Sequence, residues 1–479
     1  MQLLAAAVLI AFVPSCASAD DAPEPVSFDI PQSVKIIKVG LNYGVQALYE
    51  PTLESQNDGS YELGYFDYAR TFHKLGASEC SKLTLRADTG FILEDKTAVG
   101  PYHALLRNVF DSFDDAKSKA DMLWGGFPGY INGEYRVLVG AYKNIEKAAQ
   151  EIERRGLDAE PFTGSQYSVL AAQANTSELQ FMLDVGDGTR LAVRPTGETW
   201  FENCLYRGDF EFSCFGGALN VINYIDMESY TAGVLPYEMN GQWPIEALKA
   251  QAVCVRSYAV NNINAYAKYG FDLRDDTYSQ VYRGMAGATD ETGDAARLTE
   301  GKFVRYDGAV CRIYYMSSDG GSTDSGENIF SQRRAYLTGV SDPYEAELDF
   351  YNKEWKSALF PENISYRLNS RGYEIGLAED VKATASPLGN VIRLRITDED
   401  GKVIELNGEY CFRALGLSSL HYTVSRTENN DGETMFVFQG GGWGHNCGMS
   451  QWGAYSMACN HAASAEDIVD FYFNGAYIG

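Results

Sequence analysis

One stretch constrains this chain more than any other: Val234 to Ala259, VLPYEMNGQWPIEALKAQAVCVRSYA. Apolar backbone runs into a turn at Asn240-Gly241 and then into a helix. Pro244 falls in its first turn, where a missing N–H costs nothing. Ile245, Leu248, Ala252, Val255, Ala259 and Ile263 recur three or four apart, which predicts one apolar face. The stripe runs on to Gly270, a residue suited to a helix C-terminus. About 25 residues at 1.5 Å rise make a rod of about 37 Å, long enough to cross a domain. Glu238 stands just before that rod, among Pro236, Tyr237, Met239 and Trp243. A carboxyl flanked by aromatic side chains is the candidate working residue. The plainer alternative is that it only complements the helix dipole.

The remaining chain sets the bounds. Its 479 residues call for two to four domains. Hydrophobic content of 45%, with 32 Tyr and 24 Phe, suffices for large cores. The net charge of −26 argues against nucleic acid and anionic membrane as partners, since no basic patch is present to release phosphate counterions. Residues 3–13, LLAAAVLIAFV, followed by Ala17-Ser18-Ala19, have the form of a signal-peptide core and cleavage site, without a basic n-region. The expectation is an exported chain starting near Asp20, with a lipid-anchored form through Cys16 left open. Nine cysteines without a CxxC pair are too sparse for a disulfide scaffold. Cys204 and Cys214 flank an expected hairpin and are placed to bridge; Cys254, on the helix, reads as a buried thiol.

Residues 20–33 are rich in Asp, Pro and Ser and read as a linker, and 34–100 as a β-rich segment with a hairpin turn at Asn57-Asp58-Gly59. Residues 101–171 alternate strand and helix in two echoing halves, with Phe113 and Ala116 matched by Ile145 and Ala148. A split βαβ sheet is the natural outcome. Within it, YRVLVGAYKNIEKAAQEIERRG, from Tyr135 to Gly156, resembles the SPOR domain, which implies binding to peptide-stripped glycan; a generic ferredoxin-like domain is the alternative. From Leu179 the chain is β-rich again, and residues 351–425 look inserted, with a hairpin at Asp400-Gly401.

Two separated stretches, LPYEMNGQWPIEALKAQAVCVRSYA and GGGWGHNCGMSQWGA, resemble the SpoIID/LytB family, stage II sporulation protein D and its relatives. QVYRG at Gln280–Gly284, YYMSSDGG at Tyr314–Gly321 and FRALGL at Phe412–Leu417 follow in family order, so that the resemblance covers about residues 175–479. It implies an α+β, multidomain chain: a β-rich SpoIID-type catalytic domain with a long central helix, plus a small ferredoxin-like SPOR domain. It also implies a peptidoglycan lytic transglycosylase that cleaves MurNAc–GlcNAc linkages in peptide-stripped glycan strands and leaves a 1,6-anhydro sugar. Glu238 is the residue to which the resemblance assigns catalysis. One carboxyl can serve as acid and then base, because the substrate's own O6 replaces the second carboxylate of ordinary glycosidases. Burial by Tyr237, Met239 and Trp243 is expected to keep Glu238 protonated, against the pull of the helix N-terminus.

Around it, His445 is expected to orient substrate or Glu238, or to be structural. Gln451 and Ser450 are expected to hydrogen-bond a sugar or to start a helix. Trp443 and Trp452 are placed to stack on sugar or to pack a core, and Ser317, Ser318, Tyr282 and Arg283 to line the groove. Glu246 is the rival carboxyl, expected instead to face the helix dipole. Some family members bind zinc just before the QVY-like segment; here Ser279 stands where those carry Cys. No metal and no cofactor are expected, and the ligand types at His445, Cys447, Cys459 and His461 read better as a disulfide or free thiols. The competing function is a non-catalytic, wall-bound enhancer of an N-acetylmuramoyl-L-alanine amidase. Under either reading the partners are glycan strands, a wall amidase and sporulation engulfment proteins. The place is the cell wall or the outer face of the cytoplasmic membrane, including the space between forespore and mother cell.

Overall fold

The computed structural model describes residues 35–57, 59–92, 98–176, 178–351 and 353–479. The expected leader and linker, and Asp58 of the expected hairpin turn, lie outside the described residues. The chain forms two compact units: 35–238 with 262–296, and 239–261 with 297–479.

The first unit carries two large sheets. In the seven-stranded sheet, Ile36–Asn42 lies between Leu273–Arg274 and Ala218–Asp226, followed by Asp209–Phe215, Leu191–Pro195, Tyr61–Phe66 and Phe72–Ser78. The ten-stranded sheet contains residues 101–171. There Tyr102–Leu106, α1 (Phe113–Asp121), Gly126–Ile131, Glu134–Tyr142, α2 (Ile145–Arg155) and Ala159–Thr163 follow one another. The four strands lie in the order fourth, first, third, second, each antiparallel to its neighbour.

Local chemistry sets both helices. Ser112 and Asn144 accept the N–H of Asp115 and Lys147 as N-caps, and Gly156 ends α2 at φ 60°. Ala116, Ala120 and Ala148 are buried with Leu106, Val137 and Val139. Small side chains on each helix let it lie close to the strands. The four strands are not a free-standing sheet, because Met182–Asp184 pairs in parallel with Gly129–Ile131 and joins them to the other six.

The opening stretch departs from expectation. Val234–Glu238, expected only as apolar backbone before the turn, is the last turn of α3 (Met227–Glu238), whose start is capped by Asp226 accepting from the N–H of Glu228 and Ser229. Glu238 therefore closes one helix rather than preceding another. In the second unit α4 (Ile245–Asn261) has 17 residues, about 26 Å, not 37 Å. It stops at Asn261, whose side chain donates to Ser257 O and Cys311 O. Gly270, at φ 94°, ends a separate short turn at Ala267–Tyr269. Nor is α4 one-sided: Ala247, Gln251, Val253 and Arg256 are as fully buried as Leu248, Ala252, Val255 and Ala259, while Ile245 is 37% exposed. It is a core helix, and Arg256 is held inside by donating to Thr299 Oγ1.

In the same unit Glu354–Leu359 and His421–Glu428 pair on either side of Thr434–Gly441. The ends of the region expected as an insertion are thus tied into the strand that leads to the Gly-Gly-Gly run. Cys204 and Cys214 are free, contrary to the expected bridge. They sit in different sheets, and the Cys214 thiol donates to Ser168 O. Among the described residues, no helix is long and apolar enough to cross a membrane.

Candidate functional site

In the first unit, buried tyrosines fix the geometry around Glu238. Gln280 and Tyr282 of the QVYRG segment are both fully buried. Tyr230 of α3 donates its hydroxyl to Gln280 Oε1 at 3.1 Å, and Tyr282 donates to Asn223 Oδ1 at 2.9 Å. These anchors point the intervening Val281 N–H at Glu238, whose Oε1 accepts it at 3.0 Å. Glu238 itself is partly exposed. Tyr237 is 38% exposed, and Gly287 leaves it room: a Cβ there would lie 2.9 Å from the Tyr237 ring. Tyr282, expected in the groove, is instead an anchor, packed on the rings of Tyr206 and Tyr230. Arg283 stays about half exposed and pairs with Asp275 at 2.7 Å. Burial pushes the Asp275 carboxyl up to about 6 against the opposing pull of Arg283. Sequence reading missed Asp275, because DLRDD shows three acids and nothing to choose between them.

In the second unit a different carboxylate organises the family loops. Glu345, in the single turn α5 (Pro343–Ala346), is 1% exposed. Its Oε1 accepts from Ser318 Oγ at 2.5 Å and Gly320 N at 3.0 Å, its Oε2 from Asp319 N at 3.0 Å and Ser450 Oγ at 2.7 Å. One side chain thereby ties SSDGG to GMSQ. The glycines explain themselves here. Gly320 (φ 72°) and Gly442 (φ 88°) approach backbone to backbone, and a Cβ on either would sit 2.6–2.8 Å from the other's segment. Ser318 and Trp443 exchange backbone hydrogen bonds, which leaves the Trp443 ring 52% exposed.

The other expected residues divide. Ser318, 1% exposed, is a tie to Glu345 rather than a groove residue. Ser450 starts α6 (Gln451–Asn460) by accepting from Gly453 N, and Gln451 is 6% exposed. Ser317 is partly buried, with its carbonyl accepting from Trp452 N. His445 lies edge-on to Tyr314 and Phe330 and accepts from Cys447 N through Nδ1. Burial, and then the Arg413 charge, push its pKa down to about 4, so the ring is neutral. Trp243 packs on Trp452 and Tyr455, and Trp452 stacks on Phe350. Glu246 is held below the usual carboxylate range: burial opposes this, but Lys249 and the Ala465 N–H outweigh it. Cys447 is buried and Cys459 exposed, both free, and His461 pairs with Glu347.

A cavity of about 390 Å³ lies behind the Gly320-Gly321 loop, lined also by Glu345, Lys353, His421 and Gln439. Nothing in the sequence marked these last four. Asp319, Asp342 and Glu345 bring carboxylate oxygens within 4.8 Å of one another, the group of metal-ligand type found among the described residues. Burial raises both Asp319 and Asp342, and Tyr472 donates to Asp342 Oδ2. With Glu345 already saturated by four donors, the trio is a hydrogen-bonded knot that holds the loops.

The stage II sporulation protein model (SpoIID) matches residues 216–306, from the turn before the strand that leads into α3 through the QVYRG segment. An uncharacterised protein of Brachyspira hyodysenteriae is 33% identical over 281 residues, 57% of this chain and 72% of that one. The chain belongs to the SpoIID/LytB family. Stage II sporulation protein D of Bacillus subtilis is 29% identical over 54% of this chain and 75% of its own. The amidase enhancer of the same organism is 26% identical over 51% of this chain and 39% of its own. Within this SpoIID-family chain the model's span contains Glu238, Val281 and Tyr282.

Proposed function

We propose that this chain is a cell-wall enzyme, a lytic transglycosylase that cleaves peptide-stripped glycan at MurNAc–GlcNAc linkages, with Glu238 as acid and then base. One observation carries the reading: Glu238 is a partly exposed carboxyl, placed at the end of α3 with its Oε1 accepting the Val281 N–H of the QVYRG segment. The carbonyls that end α3 disfavour a negative charge there, whereas the Val281 N–H favours it. Glu238 gives its proton to the glycosidic oxygen as the C1–O bond breaks. The muramyl O6 hydroxyl then attacks C1 and yields its proton to the same carboxylate, closing the 1,6-anhydro ring. Water is not consumed. Arg283 is the proposed glycan contact of the first unit; in the second unit, taken by itself, the exposed Trp443 ring is a proposed sugar contact and the neutral His445 ring positions its loop.

Residues 101–171, with their β-α-β-β-α-β order and SPOR-like motif, are proposed to add affinity for stripped strands. The expected partners are the glycan, a wall amidase that strips it, and engulfment proteins in a sporulating host, outside the cytoplasm. The amidase-enhancer relative favours a second reading, in which the chain holds glycan for an amidase without cutting it. Amidase-treated peptidoglycan incubated with the full chain separates the two. Anhydro-muramyl ends seen by mass spectrometry, and lost in Glu238→Gln, support the enzyme; bound glycan without new ends selects the enhancer.

A further inference from the structure

The first unit holds a second cavity, of about 310 Å³, that the family motifs do not touch. Asp88 and Ser168 line it, with Tyr167, Gln166 and Cys214. It falls where the strand Lys82–Ala87 ends, beside the loop before Val169–Gln173 and the hairpin turn at Gly216-Gly217.

Its polar groups are built in and left open. His103 is fully buried, and its Nδ1 faces the Gly140 carbonyl at 2.6 Å. A carbonyl only accepts, so Nδ1 donates. Nε2 lies 3.2 Å from Asp88 Oδ1, and a hydrogen bond there needs a second proton. Asp88 is 8% exposed and Ser168 1%, yet Asp88 Oδ2 and Ser168 Oγ have no partner. Gly164 packs closely against both oxygens: a Cβ there would meet Ser168 Oγ at 2.3 Å and Asp88 Oδ2 at 2.5 Å. The loop is braced from behind, where Ser165 donates through N and Oγ to Asp184. A buried acceptor without a donor is costly, and two at one cavity ask for a ligand that supplies hydrogen bonds.

Chemistry narrows that ligand. The arrangement is no hydrolase, since both ring nitrogens of His103 are engaged and Ser168 has no base. Cys214 is no nucleophile, because burial with the Asp88 and Asp184 charges pushes its thiol up to about 12. Among the described residues no Lys or Arg lines the cavity, which disfavours phosphate and carboxylate. Asp88 Oδ1 already has His103 as its partner, which leaves one carboxylate oxygen for a ligand. We propose that this cavity binds a neutral, hydroxyl-rich ring, an N-acetylated hexosamine, with ring hydroxyls donating to Asp88 Oδ2 and bonding Ser168 Oγ. The choice of hexosamine over another polyol rests on the glycan reading above.

The test uses the full chain carrying Glu238→Gln, so that nothing is cut. The probes are the N-acetylglucosamine trimer and its cationic counterpart, the glucosamine trimer, followed by titration calorimetry and hydrogen exchange. The expected result is that the neutral trimer protects residues 87–89, 165–168 and 214–217, and that Ser168→Ala weakens this binding about tenfold, the order of one hydrogen bond. Ser168→Ala removes a hydroxyl without a partner and should leave the fold unchanged; Asp88→Asn is the second variant. Protection by the glucosamine trimer alone, no protection by either, or binding unchanged in both variants overturns the proposal. Failure of the catalytic reading shows separately, as absent anhydro ends from the unsubstituted chain.

Discussion

Two glutamates in this chain do opposite things, and their hydrogen bonds show why. Glu345 is buried and saturated by four donors from two loops. Both of its oxygens are taken up by these loop donors, so the side chain serves as a tie between the loops. Glu238 is partly exposed, and its Oε1 accepts the Val281 N–H. A substrate can reach a partly exposed carboxyl, whereas the enclosed Glu345 meets only its own loops; that difference in access is what fits Glu238 to the proposed acid role.

The contrast breaks most sharply at Glu238 itself. Glu238→Gln keeps the shape and the Val281 contact but removes the transferable proton. Cleavage should fall by about 10²- to 10⁴-fold with an unchanged melting temperature; near-normal production of anhydro ends would remove Glu238 from the chemistry. Glu345→Ala should do the reverse. Leaving Ser318, Ser450 and two N–H groups unpaired in the interior should cost about 3–5 kcal/mol. A denaturation midpoint that hardly moves would mean that the loops hold without it.

The third test is a pH dependence of stability. His445 is neutral in the fold down to about pH 4, while its ordinary value is 6.5. Between those values the unfolded chain binds a proton that the folded chain refuses, so stability falls as pH drops from 6.5 towards 4. His445→Gln should flatten that limb in acid titrations of the unfolding free energy; an unchanged limb would remove His445 as its cause. The smallest effect is expected at Glu246, whose partly exposed pairing with Lys249 is worth less than about 1 kcal/mol. Glu246→Gln should leave cleavage intact, and a large loss would make it, not Glu238, the acid to pursue.

Much of the local structure was legible because its causes are local. Ser112, Asn144 and Gly156 announce two helices, and Asp307-Gly308 (φ 49° and 82°) and Asp400-Gly401 mark hairpins whose strands form as expected. The errors came where partners are distant. A 3.6-residue stripe cannot tell that α4 is buried all round, nor that it stops at Asn261. Nothing in the spacing marked Val234–Glu238 as helix, yet a capped start at Asp226 and a buried face carry α3 through Pro236.

The sequence by itself determined the family, the identity of the candidate acid and the order of the loops, since those reside in residue types and spacing. Only the tertiary structure decided what each polar group has left to offer. Tyr282 and Ser318 read as groove residues until their hydrogen bonds to Asn223 and Glu345 used them up. Asp88 and Ser168 read as nothing until the fold buried both without a partner. Hydrogen-bond capacity is filled by neighbours remote in the chain, and no spacing rule counts those neighbours.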